Sequence, residues 1–322
     1  MDNHQQPNIP DDNAPGWEKA VLEKLAFAAI DEQKRSRRWS VFFKFLTFAY
    51  LAVALGMFIY PRFESEVSAG TAHTAVIDVL GMIADGEAAN ADVIIEGLRD
   101  AVKDKNTKGI ILNINSPGGS AVQAGYVYEE IRRQKAQHPD LPIYSVVGDM
   151  CASGGYYIAA ASDKIYVSQA SLIGSIGVIM NGFGFTNVLE KLGVERRLLT
   201  AGEHKAMLDP FSPVNQQEAK HMQSLLDQVH QQFIAAVKQG RGDRLKETPE
   251  MFSGLVWTGE EGVRLGLADD FGSVDSVARD VLGAEEKVNF TPQERLIDRL
   301  AGKFGASFAH AIGTTIKSIN FQ

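Results

Sequence analysis

The sequence predicts an α/β fold with a largely parallel sheet, preceded by one N-terminal transmembrane helix. Three observations carry this expectation. An apolar stretch runs from Trp39 to Tyr60 with Lys44 as its only charge. From Ala75 onward, short β-rich apolar runs alternate with segments of helical period. Glycine-rich turns, Asn115 to Ser120 and Ser153 to Gly155, stand where a predicted strand gives way to a helix.

The elements follow in chain order. Residues 1–15 are rich in Asn, Gln, Asp and Pro and have the composition of a disordered tail. Trp17, Val21, Leu25 and Ala28 recur at helical spacing, so 1–38 reads as a cytoplasmic tail with an amphipathic helix, either on the inner membrane surface or solvated beside it. At about 1.5 Å per residue, segment 39–60 spans roughly the 30 Å hydrocarbon core. Lys44 lies near its start, where its stem snorkels to the headgroups. Lys34, Arg35, Arg37 and Arg38 precede the segment, whereas Arg62 follows it with Glu64 and Glu66. The positive-inside rule keeps the N-terminus in the cytoplasm and sends the rest across. A cleaved signal peptide fits less well, because the apolar stretch begins far from residue 1 and the small-residue site Val67-Ser68-Ala69 lies well beyond its end.

Residues 61–74 read as a tether and 75–284 as the main folded domain. Within it, AVIDVLGMI and GIILNIN are strands, the second typical of a buried parallel strand. Helices are expected over Val93 to Lys105 and Ala121 to Gln137, a strand at Ile143 to Val147, then strands in KIYVS and SIGVIM. A long helix follows Pro213 to about Gln239, and shorter helices run to about Leu282. In 285–322, Leu296, Leu300, Phe304 and Phe308 form an amphipathic stretch that either packs on its own domain or meets a subunit or the membrane.

Composition narrows the function. The net charge is -8, from 32 Lys and Arg against 40 Asp and Glu, so no nucleic-acid partner is expected. One cysteine, Cys151, excludes an intramolecular disulfide and a Cys-rich zinc site. No metal constellation and no phosphate loop is visible, and no cofactor is expected.

Ser153, in DMCASGGYYIAAA, falls where a strand enters an Ala-rich helix. Unpaired N–H groups there favour developing negative charge, and Gly154 and Gly155 let a substrate approach closely. A helix-capping serine fits the same local pattern. Asn115-Ser116-Pro117-Gly118-Gly119-Ser120 exposes amides at a strand's C-terminal end, either as oxyanion donors or as a plain tight turn. A serine nucleophile needs a base. Of the seven histidines only His204 is kept as a candidate, because it sits in a loop, AGEHKAMLDP, expected to follow a strand; the same loop holds Lys205.

MCASGGYYIAAASDKIYVSQASLIGSIGV, with NSPGGS upstream and TAGEHKAMLDPFSP downstream, closely resembles the signal peptide peptidase A family over roughly Ala75 to Gly283. The resemblance implies a crotonase/Clp-protease-like superhelix of repeated β-β-α units and a Ser/Lys dyad. Ser153 matches the nucleophile, Lys205 the general base and Ser175 the serine that orients the lysine. Gly119 and Gly154 match the oxyanion donors, with Gly118 or Ser120 as one-register alternatives to Gly119. The single repeat resembles half-length members, which form homo-oligomeric rings and complete active sites between subunits, so Lys205 serves either its own Ser153 or a neighbour's. The implied protein is a serine endopeptidase of the bacterial inner membrane, its catalytic domain periplasmic, acting on hydrophobic peptides such as remnant signal peptides.

An unperturbed lysine has a pKa of about 10.4, so a neutral base at pH 7 costs roughly 4 to 5 kcal/mol, which burial can supply. Leu172, Ile173, Ile176, Met207 and Leu208 are the expected walls. Rival functions are an inner-membrane Ser/Lys quality-control peptidase with other substrates, a crotonase-like acyl-CoA enzyme and a non-catalytic membrane scaffold.

Overall fold

The computed structural model describes residues 17–67 and 70–292 and divides into two units, Met1–Gly70 and Thr71–Gln322. The first is built on one helix, α1 (Trp17–Val67). Its stretch Leu25–Gly56 is long and apolar enough to cross a membrane. Near its basic end Trp39 stacks on Phe43 with ring centroids 5.7 Å apart, and Phe42 meets Trp39 edge-on at 5.9 Å. The first half of the expected tether at 61–74 is helix, since α1 continues to Val67. Polarity there marks the end of the apolar stretch, not of the helix, and glycine appears only at Gly70.

The second unit is the expected α/β fold with a mostly parallel sheet. Strand β1 (His73–Ile83) leads through α2 (Ala91–Lys103) to β2 (Thr107–Gly119), and α3 (Ala121–Gln137) leads to β3 (Ile143–Ala152). A short helix α4 (Gly154–Ala159), then β4 (Lys164–Val167), β5 (Leu172–Gly174) and α5 (Thr186–Lys191) follow. The chain closes with α6 (Gln216–Arg241), β6 (Val256–Thr258), α7 (Gly259–Arg264), β7 (Asp270–Phe271), α8 (Val274–Ser276), a π-helical turn at Val277–Val281, and β8 (Lys287–Asn289).

The helices start where their caps stand. Asn90 Oδ1 accepts the Val93 N–H at 3.0 Å and Ser120 Oγ the Gln123 N–H at 3.3 Å, satisfying first-turn donors of α2 and α3. One sheet face buries Ile77, Val79, Ile110, Leu112 and Ile114 against Ile94 and Leu98 of α2 and Val127 and Ile131 of α3. The other face packs Val76, Ile111, Val146 and Tyr166 under Val277 and Ala278. Both faces being covered explains why these strands read as continuous apolar runs.

The sheet runs β6-β5-β3-β2-β1-β8 and forks at β3. Residues Tyr144 to Val146 pair with β4, whereas Met150 to Ala152 pair with β5, so β3 feeds two branches. The fork lies just before Ser153 and aims the end of β3 away from its beginning. Pairing is parallel except at β5–β6.

Three expectations shift. The strand expected in SIGVIM does not form: β5 stops at Gly174, just before Ser175, where the backbone turns to positive φ. No strand precedes His204, since residues 192–200 have no regular structure. The segment expected to begin a separate tail at 285 starts within the sheet, where β8 pairs in parallel with β1. Leu296, Leu300, Phe304 and Phe308 lie outside the described residues.

Candidate active site

Ser153 sits between β3 and α4 with φ 51° and ψ -121°, a conformation costly for a residue with a Cβ. Its side chain makes no cap hydrogen bond to α4, so the capping alternative is not realised. The backbone holds the turn instead: the Ser153 N–H donates to Gly174 O at 2.8 Å, and the Tyr157 N–H to Ser153 O at 2.9 Å. Ala152 pairs with Gly174, so Ser153 and Ser175 leave neighbouring strands in register. Ser175 also has positive φ, 52°. The one other non-glycine residue with positive φ among the described residues is Leu208, φ 58°, in the turns that carry Lys205. Strain of about 1–3 kcal/mol per residue thus collects at the three segments singled out from the sequence.

The Gly118–Gly119 turn lies against Ser153 and Gly154. A methyl placed on Gly118 would fall 2.7 Å from both Gly154 N and Ser153 Cβ, and one on Gly154 would fall 3.3 Å from Gly119 N. The Gly118 N–H donates to Ser116 Oγ at 3.1 Å and the Ser120 N–H to Ile83 O at 2.7 Å, so both alternatives to Gly119 are committed elsewhere. Gly119 and Gly154, at the start of α4, lie side by side across this turn. Ser116 is a residue sequence reasoning passed over. Fully buried, it accepts from Gly118 and donates to Gly81 O at 2.6 Å, tying the turn to β1.

A methyl on Gly119, whose φ is 151°, would come 2.1 Å from Ile83 O. Gly119→Ala is therefore expected to displace the turn and lower kcat/KM by about 100-fold or more, the scale of one lost oxyanion donor. Steady-state kinetics together with a melting curve check this. Unchanged kinetics in a folded variant would remove Gly119 from the site.

Lys205 is exposed, and no hydrogen bond joins it to Ser153 or Ser175 among the described residues. The expected apolar walls do not enclose it either. Ile173 and Ile176 are buried in the core, while Leu172 and Leu208 face solvent. Residues 179–214 leave the core carrying Ile179, Phe183 and Leu199, which are 85%, 82% and 97% exposed. Phe185 stacked on Phe211 at 5.6 Å and Arg196 facing Asp209 at 3.5 Å give this excursion its own small scaffold.

His204 Nδ1 lies 3.0 Å from Glu218 Oε1 in the first turn of α6. That hydrogen bond raises the imidazole pKa above its ordinary value. Glu218 is the second residue missed from the sequence, where it reads only as a favourable first-turn acid. His204, Met207, Gln217, Glu218 and His221 line a cavity of about 220 Å³. No group of three or more His, Cys, Asp or Glu among the described residues is arranged to hold a metal. Cys151, two residues before Ser153, is buried, and desolvation pushes its thiol pKa up, so it is no competing nucleophile.

The sequence pattern of peptidase family S49 matches residues 135–289. The chain is 32% identical over 235 residues to the putative signal peptide peptidase SppA of Enterococcus faecium, covering 70% of this chain and 67% of that one. To the putative protease slr0021 of Synechocystis sp. it is 30% identical, over 62% of this chain and 69% of the relative. It is also 41% identical over 203 residues to a Brucella melitensis protein named Na(+)/H(+) antiporter NhaA. That match takes in 63% of this chain but about a quarter (27%) of the Brucella protein's length.

Proposed function

This chain belongs to peptidase family S49, and from that premise we propose that it is a serine peptidase, with Ser153 its nucleophile, Lys205 its general base, and α1 its membrane anchor. The observation that carries the reading is the paired turn: Ser153 and Ser175 leave adjacent strands in register, both at positive φ, beside the Gly118–Gly119 amides.

In the proposed reaction Ser153 Oγ attacks the peptide carbonyl carbon and its proton passes to neutral Lys205 Nζ. The Gly119 and Gly154 N–H groups hold the oxyanion. Collapse breaks the C–N bond, and Lys205 gives its proton to the departing amine. Water then attacks the acyl-enzyme, again through Lys205, releasing the acid and restoring the Ser153 hydroxyl. Ser175 orients the lysine.

A lysine base needs desolvation, yet Lys205 is exposed on an excursion whose large apolar side chains are bare. Both facts support assembly with further copies of this chain as a homo-oligomeric ring, in which a neighbour covers residues 179–214 and the dyad is completed between subunits. The basic residues before the apolar stretch of α1 support a cytoplasmic N-terminus and a periplasmic catalytic domain. A site held beside a membrane suits hydrophobic peptides, remnant signal peptides among them.

The test is the full-length chain in nanodiscs, assayed with an apolar fluorogenic peptide while mass photometry reports the assembled species. Leu199→Asp is expected to break the assembly and lower activity at least 10-fold, because a buried unpaired charge is costly. Full activity from a monomer would sink the shared-site reading. No activity from the assembled chain would sink the peptide-substrate reading.

A further inference from the structure

Residues 201–208 fold as successive tight turns. The Lys205 N–H donates to Gly202 O at 3.2 Å and the Met207 N–H to His204 O at 3.2 Å. Both bonds are local. Among the described residues, the hydrogen bond that ties these turns to another element is His204 to Glu218, at 3.0 Å. Glu218 is itself held in place. Asn215 Oδ1 caps α6 by accepting the Gln217 N–H at 2.9 Å and the Glu218 N–H at 3.4 Å.

The same helix reaches the serine side of the site. His230, three turns further along α6, places Nε2 3.0 Å from Ile176 O, next to Ser175. The two attachment points are separated by about 18 Å along one helix, at 1.5 Å per residue. A helix of that length is stiff compared with the chain between Gly174 and Gln216, where α5 is the one short helix among irregular segments. Groups facing His204 are Glu203 from its own turn, and Glu218 and His221 from α6.

We propose that α6 is a strut that sets the orientation of Lys205, with the His204–Glu218 pair as the clamp at its far end and His230 as the fixed end. His204 and Glu218 act as positioning residues, whether Lys205 serves its own Ser153 or that of a neighbouring copy. The inference rests on the Ser/Lys reading. It has a pH signature. Glu218 raises the imidazole pKa, so the charged clamp is complete below that raised pKa and weakens as pH rises through it.

The experiment measures kcat, KM and melting temperature of the full-length chain in nanodiscs across pH, using the apolar fluorogenic peptide. Glu218→Ala is expected to lower kcat about 10-fold with KM within twofold. Glu218→Gln keeps an acceptor for the imidazole N–H, so it should lose only about threefold, and its alkaline fall in kcat should move to lower pH. His204→Ala should match Glu218→Ala, and the double variant should be no worse than either. Wild-type kcat and pH profile in Glu218→Ala would overturn the clamp, as would a loss matched entirely by a lower melting temperature in both Glu218 variants. Lys205→Ala separates the readings. If it is inactive while Glu218→Ala is normal, the clamp alone fails. If it is active while His204→Ala is dead, His204 is the base and the dyad fails with the clamp.

Discussion

Ser153→Ala is expected to abolish peptide hydrolysis, by about 10⁴-fold or more, while leaving the chain as stable as the parent. The reason for the second half lies in the backbone. Ser153 is held through its own N–H on Gly174 O and its carbonyl under the Tyr157 N–H, and its side chain caps nothing. Removing Oγ therefore removes no structural hydrogen bond. Alanine keeps the Cβ and with it the strain of φ 51°. Ser153→Gly provides the contrast: it is equally inactive, but relief of the positive-φ strain, less glycine's greater entropy cost, should stabilise the chain by about 1 kcal/mol. Activity assays and thermal melts of the three proteins check both halves. A glycine variant less stable than the alanine one would show that the strained turn is not held at the expense of folding.

Lys205→Ala is expected to lower kcat by about 10²- to 10⁴-fold, the scale of a lost general base. Stability should stay within about 0.5 kcal/mol, since Lys205 is exposed and bonds to no residue of the serine cluster. Lys205→Arg should be as inactive as the alanine variant, because a guanidinium keeps its proton at any working pH. Measuring kcat for both variants, with circular dichroism as the folding control, separates proton transfer from simple charge. Substantial activity in the arginine variant would reduce Lys205 to an electrostatic role.

Much of this protein was legible in one dimension. Ile110 to Ile114 reads as a buried strand because both faces of β2 are covered, and α3 begins and ends where Ser120 and Gln137 indicate. Other features were not legible. The polar stretch after Tyr60 read as a tether because local polarity reports exposure and says little about helix ends, yet α1 runs on to Val67. SIGVIM has the apolar texture of a strand, but the backbone turns to positive φ at Ser175 and the strand stops at Gly174, before that stretch begins.

The family resemblance singled out Ser175 and Lys205; the sequence by itself determined the α/β class, the apolar helix, and the glycine turns around Gly119 and Ser153. These depend on hydrophobic period, glycine placement and capping, interactions spanning a few residues. Only the tertiary structure decided how the turns relate. It forked β3 so that Ser153 and Ser175 emerge together, committed the Gly118 and Ser120 amides to other partners, and tied His204 to Glu218. It also left Lys205 and residues 179–214 outside the core. The physical reason is that each of these outcomes is settled by strand register and hydrogen bonds between distant segments, and such long-range pairings are set by the packed fold as a whole.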